Sequence, residues 1–225
     1  MYANLFFMGV IFSGKARDRG TVSATPDNNL QLTVCKNPSL RQEWRTLSIP
    51  QRQDYISAVQ CLQSRPSILG LNHTLHDEFT NSAKKEPHCL SRGFLYGDVL
   101  KKRFGARVHP DALEAILQEA DYEAFNLKLE AWPRDAVPHG VNGDFSRETT
   151  PNDPLFSLHH ASLDRVWWQW QQRDPERRLW QSGSSHLQES LVYSLDDVFH
   201  FKRFSPDRTV SELMSTESDL FCCTY

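Results

Sequence analysis

The chain has 225 residues, a length that suits one domain or a compact pair, and its net charge is −3. The charged residues are spread along the sequence without long runs of one sign, so a nucleic-acid-binding surface is not expected. Hydrophobic residues make up 39% of the chain. They occur in short periodic groups, which excludes a run of about 20 apolar residues that could span a membrane.

The N-terminal residues 1–34 are predicted to be a leader followed by an extended arm. Met1–Gly14 has the length and apolar character of a signal-peptide core but no positive charge before it, so it is a weak secretion signal. The five cysteines form no Cys-x-x-Cys pair. Their wide spacing favours disulfides that tie the ends of a secreted domain together. The alternative is a cytosolic protein with buried, reduced cysteines. The five are Cys35, Cys61, Cys89, Cys222 and Cys223.

The first predicted elements are two helices. Ser39 can cap a short helix over Leu40–Leu47. Ser48 and Gln51 form a capping box before a second helix, which should end near Pro66. The second helix carries an apolar stripe, made by Ile56, Val59 and Leu62.

Further along the chain, residues 66–92 are predicted to be a long loop. Pro110 then opens one helix and Asp121 caps another. Residues 133–151 are predicted to be irregular, and the strongest helix follows, from Asp153 to about Arg173. The expected protein is therefore mainly α-helical, with long irregular connections and a short strand or two.

Two adjacent histidines stand inside this strongest helix. His160 and Asp164 are four residues apart and share one helical face, whereas His159 points about 100° away. Burying an imidazole in an apolar, tryptophan-rich helix costs free energy unless its polar nitrogens have a partner. A metal ion is one partner; the alternative is two core histidines, one bonded to Asp164 and the other to a backbone carbonyl.

Residues 153–167 follow the order Asp-Pro-x-Phe-x-x-His-His-x-x-x-Asp-Arg-x-Trp. This order resembles the second copper-binding motif of the tyrosinase family of type 3 copper proteins. Other segments of residues 35–225 resemble the fungal branch, so this range is interpreted as a truncated tyrosinase-like copper-binding domain.

The resemblance implies a four-helix bundle that holds a copper pair, binds O₂ and oxidises small phenolic substrates. His160 matches a ligand of the second copper, and Asp164 matches the carboxylate that supports it. His159 matches a neighbouring residue outside the ligand set, and Phe156 matches an aromatic beside the copper pocket.

The chain departs from the family pattern at both copper sites. Arg134 and Pro138 stand where two further ligands of the second copper are expected, and His139 lies one residue out of register. An arginine side chain cannot ligate a metal. The first copper site has no Trp-His-Arg sequence, as if a pair of helices were missing between Phe79 and Pro87. The fold is therefore predicted to be an incomplete four-helix bundle whose tryptophans are partly exposed.

Three functional hypotheses remain. The first is a copper oxidoreductase of phenols and catechols, and the second is a non-catalytic remnant or splice product. The third is a mononuclear hydrolase with His139, His160 and Asp164 as ligands. Reduction of O₂ to bound peroxide takes one electron from each of two Cu(I) ions. We therefore expect at most one copper ion, held by His160 and His139, and no oxidase activity.

Overall fold

The structure is a computed structural model that describes residues 34–63, 91–147, 150, 153–181, 184–185, 188–192, 194–201 and 205–225. This part of the chain is mainly helical, as predicted, with short two-stranded sheets. None of its helices is both long and apolar enough to cross a bilayer. The predicted loop at 66–92 lies almost wholly outside the described residues, and so do His73, His76, His88 and the Phe79–Pro87 junction.

The helices, in chain order, are α1 (Ile49–Gln63), α2 (Pro110–Leu117), α3 (Tyr122–Leu129), α4 (Asp135–Val141), α5 (Leu155–Gln172), α6 (Pro175–Arg178) and α7 (Val210–Leu213). π-Helical stretches cover Val99–Phe104 and Glu130–Arg134. Short 3-10 turns cover Trp44–Thr46, Gly105–Arg107 and Gly143–Ser146. The strands are β1 (Ser39–Leu40), β2 (Ser184–Ser185), β3 (Gln188–Val192), β4 (Val198–Phe199), β5 (Arg208–Thr209) and β6 (Cys223–Thr224).

The ends of the described chain lie together. β1 pairs in parallel with β6, so that Ser39 lies opposite Cys223, and Cys35 forms a disulfide with Cys222. A disulfide between the ends agrees with the wide cysteine spacing. The predicted helix over Leu40–Leu47 was wrong, because the backbone of Ser39 and Leu40 is used for this long-range strand pairing instead. The domain boundary at residue 34 stays a prediction, since residues 1–33 are not described.

Two predicted helix caps are confirmed by the structure. Ser48 and Gln51 form the expected capping box in front of α1: Ser48 N donates to Gln51 Oε1 over 2.9 Å, and Gln51 N donates to Ser48 Oγ over 3.4 Å. Asp121 caps α3 through the backbone N–H of Ala124. These caps can be read locally, because both partners lie within three residues.

A single kinked helical run joins α3 to α4. It continues from Tyr122 to Val141 through the π-helical stretch, so the prediction that residues 133–151 are irregular was wrong for residues 133–141. Pro133 lies inside the π-helical stretch and Pro138 inside α4. A proline normally breaks a helix because its ring clashes with the preceding turn and it lacks an N–H, but a π-bulge can absorb this distortion.

The core lies between α2, α3, α5 and the C-terminal segment. Trp170 of α5 is fully buried; its ring stacks on Phe125 at 4.7 Å between centroids. Trp167 is only 7% exposed. The predicted partial exposure was therefore wrong for these two tryptophans, because α3 and the C-terminal segment cover them. Surface apolar area is found on α1 instead, where Ile56 is 49% exposed.

The N-terminus of α5 is fixed by Asp153. The Asp153 carboxylate accepts a hydrogen bond from the backbone N–H of Leu155 over 2.8 Å. The same carboxylate forms an ion pair with Arg92, whose two nitrogens lie 2.7 and 3.2 Å from its oxygens. This arrangement satisfies a buried charge and sets the orientation of the helix that carries the two histidines.

Candidate functional site

His160 lies on α5 one turn after Phe156, and the two rings are 4.2 Å apart between centroids. Burial, together with the nearby His159 and the positive charge of Arg134, lowers the pKa of His160 to about 3. The imidazole is therefore neutral at physiological pH, which is the form that can bind a metal ion. Phe156 is 7% exposed and packs against the His160 ring; its place beside a copper pocket stays a prediction.

His159 faces α4 and the stretch before it. Its Nε2 lies 3.3 Å from the carbonyl oxygen of Arg134, and its ring packs edge-on against Phe145. Burial lowers the pKa of His159 to about 4. The contact to a backbone carbonyl agrees with one of the two partners expected for a core histidine.

Asp164 is tied to both ends of the described chain. Its Oδ2 accepts a hydrogen bond from Arg41 Nη1 over 2.9 Å and another from the hydroxyl of Tyr225. Arg41 also donates to the Tyr225 hydroxyl over 2.7 Å. Burial raises the pKa of Asp164, although Tyr225 and Arg41 oppose this rise.

The ionic partners of Asp164 were not expected. The sequence suggested one of the two neighbouring histidines, a local partner. Arg41 and Tyr225 lie 123 and 61 positions away, so no local spacing could have indicated them. The only available signal was that both residues lie in segments resembling the family.

His139 lies in a different environment from His160. It is exposed on α4, its Nδ1 lies 2.6 Å from the carbonyl oxygen of Asp135, and its ring stacks on Phe104 at 6.0 Å. It is not among the residues that line the cleft beside His160. The pairing of His139 with His160 at a metal ion therefore stays a prediction.

A cleft runs between α3 and α5 next to His160. On α5 its lining residues recur every three or four positions, and the same spacing occurs on α3, so the cleft follows the seam between the helices. Its lining residues are Tyr122, Phe125, Asn126, Leu129, His160, Leu163, Asp164 and Trp167.

The described side chains do not fit a copper pair. Within the part of the chain that the structure covers, no three His, Cys, Asp or Glu residues are grouped to hold a metal ion. Arg134 also places a positive charge close enough to His159 and His160 to disfavour their protonated forms, and the same charge disfavours a bound cation.

A family profile described as the common central domain of tyrosinase matches residues 15–173. The chain belongs to the tyrosinase family. Family membership supports an oxidoreductase-type function and a general relation to type 3 copper proteins that act on phenolic substrates.

Three similar proteins illustrate the relationship. Tyrosinase ustQ of Aspergillus flavus is 27% identical, with 85% of this chain and 80% of the relative aligned. An oxidase of Aspergillus hancockii is 33% identical over 66% of this chain and 57% of that protein. A solved polyphenol oxidase of Thermothelomyces thermophila, the G292N mutant, superposes with a TM-score of 0.51 at 26% identity. The superposition covers 62% of this chain and 42% of that structure.

The alignment to the Aspergillus flavus tyrosinase extends over 287 positions, yet it uses only 85% of this 225-residue chain. Many residues of the relative therefore have no counterpart here. That a segment is missing between Phe79 and Pro87 stays a prediction.

Proposed function

We propose that this chain is a tyrosinase-family protein, related to copper oxidases of phenols, that binds at most one copper ion and has no oxidase activity. His160 is the proposed ligand, with Phe156 as the neighbouring wall. His159 and Asp164 are proposed to hold α5, the helix that carries His160, in place rather than to bind the ion.

This proposal depends on the observation that His160 and His139 lie in different surroundings. His160 lies against Phe156 beside the seam of α3 and α5, whereas His139 is exposed and stacks on Phe104. A copper pair that reduces O₂ needs several imidazoles around both ions, and the described residues supply no such group. The positive charge of Arg134 further weakens binding of any cation nearby.

The test is copper loading of the full chain followed by dialysis and elemental analysis. The proposal predicts no more than one copper ion per chain and no O₂ uptake with catechol. His160→Ala should abolish the bound copper, whereas His200→Gln should not, because His200 is 73% exposed and lies outside the cleft. Two copper ions per chain, or copper binding that survives His160→Ala, would contradict the proposal.

Oxidation of phenols or catechols to quinones is the second candidate. It is supported by the family profile and by the names of the relatives, a tyrosinase and an oxidase. In that case the undescribed residues 64–90, which include His73, His76 and His88, would have to complete the centre. Copper-dependent O₂ uptake with catechol would establish this activity and reject the first proposal.

We also propose that the protein is secreted. The disulfide between Cys35 and Cys222 supports an oxidising compartment, because structural disulfides are rare in reducing cytosol. Peptide mapping of the protein from culture medium, without reductant, should recover the peptides that contain these two cysteines as a linked pair.

A further inference from the structure

Residues 94–104, called the 94–104 segment below, expose several large apolar side chains. Phe94 is 57% exposed, Tyr96 is 85% exposed and Val99 is 53% exposed. A single apolar residue on a protein surface is ordinary. Three within a few consecutive positions form a local concentration, and such concentrations mark surfaces that contact a partner.

The same segment is basic. It contains three basic residues and one acidic residue, whereas the whole chain has a net charge of −3. Lys101, Lys102 and Arg103 are exposed and lie in the last turn of the π-helical stretch. Asp98 pairs with Lys102, but both side chains are largely exposed, so the pair is weak and two further cations remain beside it. The segment is therefore a positive region on an acidic protein.

Contacts to α4 hold one side of the segment in place. The backbone N–H of Leu95 donates to the carbonyl oxygen of Gly140 over 3.0 Å, and the Phe104 ring lies parallel to that of His139. Gly140 also admits Leu100, because a Cβ at this glycine would lie only 3.3 Å from the Leu100 side chain. The exposed apolar and basic side chains are thus carried on a fixed support, which lowers the entropy lost when they bind a partner.

A partner for this surface has to offer negative charge and an apolar layer side by side. The interface of a bilayer that contains anionic phospholipids offers both, because its phosphates attract Lys and Arg and its headgroup layer favours aromatic rings. Single-stranded nucleic acid also uses positive charge and rings, but it offers no apolar layer to the aliphatic side chain of Val99. Charge complementarity and side-chain type together favour the membrane.

We propose that the 94–104 segment docks this protein peripherally on membranes that contain anionic phospholipids. Its exposed apolar side chains enter the headgroup layer, and its basic side chains lie against the lipid phosphates. The association weakens as salt is added, because salt screens the charges. The inference depends neither on copper binding nor on the proposed function.

The test is co-sedimentation of the full chain with vesicles of phosphatidylcholine and phosphatidylserine in equal parts, and with vesicles of phosphatidylcholine alone. The chain should bind the mixed vesicles at least about tenfold more tightly, and high salt should remove most of this difference. Lys101→Glu/Lys102→Glu should lower the affinity for mixed vesicles at least about tenfold. Tyr96→Ser should lower it to a smaller degree, because one ring leaves the headgroup layer.

The matched controls make similar changes at exposed positions outside the segment. Lys36→Glu/Arg45→Glu changes the net charge by the same amount, since both residues are exposed. Leu127→Ser replaces an apolar side chain that is 51% exposed on α3. Both controls should change vesicle binding less than about twofold. Thermal melts show whether each variant is folded.

A single-stranded oligonucleotide, titrated at the same salt concentration, is the competing partner. Absence of binding to the mixed vesicles, equal affinity for the two kinds of vesicle, or tighter binding to the oligonucleotide would each overturn the inference. An equal loss of vesicle binding in Lys101→Glu/Lys102→Glu and in Lys36→Glu/Arg45→Glu would also overturn it, because overall charge would then explain the binding.

Discussion

His159 supplies a hydrogen bond that Pro138 cannot make. In an α-helix the N–H of residue 138 would donate to the carbonyl oxygen of residue 134, but proline has no N–H. The Nε2 of His159 lies 3.3 Å from this carbonyl oxygen, that of Arg134. The imidazole thus joins α5 to the kinked helical run at the position where that run lacks its own donor.

Replacement of His159 should therefore lower the free energy of unfolding more when Pro138 is present. His159→Phe leaves the Arg134 carbonyl without this partner, and we expect a loss of about 1 kcal/mol or more in the free energy of unfolding. In Pro138→Ala the backbone donor returns, so the same change should cost less. Urea unfolding of the two single variants and the double variant measures the difference. Additive effects would show that the two residues are not coupled.

The ion pair between Arg41 and Asp164 should be essential for stability. The two side chains are 21% and 10% exposed, so Arg41→Met leaves a mostly buried carboxylate without its cation. We expect a loss of about 3 kcal/mol, partly recovered in Arg41→Met/Asp164→Leu. The control is Lys102→Met, because the Lys102–Asp98 pair is 78% and 77% exposed and should contribute little. Denaturant unfolding at fixed pH and salt checks all three variants.

Gly143 and Gly97 form a matched pair for backbone strain. Both have positive φ, +65° at Gly143 and +66° at Gly97. A Cβ at Gly143 would overlap the carbonyl of Ser91 and lie 2.9 Å from the Cα of Arg92, whereas no atom lies within 4 Å at Gly97. Gly97→Ala should lower the free energy of unfolding by about 1 kcal/mol, because alanine disfavours positive φ. Gly143→Ala should lower it by at least about 2 kcal/mol, because the overlap with Ser91 adds to this strain. Equal melting temperatures for the two variants would contradict this expectation.

Arg134 should be the main obstacle to metal binding beside His160. Arg134→His removes the positive charge and adds an imidazole on the stretch that faces His159, and Arg134→His/Pro138→His adds a second. We expect copper affinity to rise at least about tenfold in the single variant and further in the double variant. Calorimetric titration with Cu(II) measures the affinity. An unchanged affinity would mean that this face does not bind copper.

The buried tyrosines should make the fold sensitive to alkali. Burial raises the pKa of Tyr122 above its ordinary value of 10, and burial together with Asp164 does the same for Tyr225. Above pH 10 the unfolded chain ionises these groups while the folded chain keeps their protons. Stability should therefore fall as pH rises, by about 1.4 kcal/mol per pH unit for each tyrosine. Tyr122→Phe should reduce the slope, and Tyr96→Phe, at an 85% exposed position, should not.

The sequence by itself determined the family, the mainly helical class and the starts of the main helices. Caps such as Ser48 with Gln51 can be predicted because the two residues are close in the chain. The motif at residues 153–167 can be recognised because it is one continuous stretch of sequence. The family resemblance also drew attention to Phe156, whose ring packs against that of His160 in the structure.

Only the tertiary structure decided the partners of Asp164, the continuation of the helix past Pro133, and the burial of Trp167 and Trp170. Each depends on contacts between segments far apart in sequence. Arg41 and Tyr225 meet Asp164 because β1 pairs with β6 and Cys35 is bonded to Cys222. His159 supports the helical run that Pro133 and Pro138 would weaken. Local pattern carries no information on such contacts, since their free energy arises only when the packed elements are brought together.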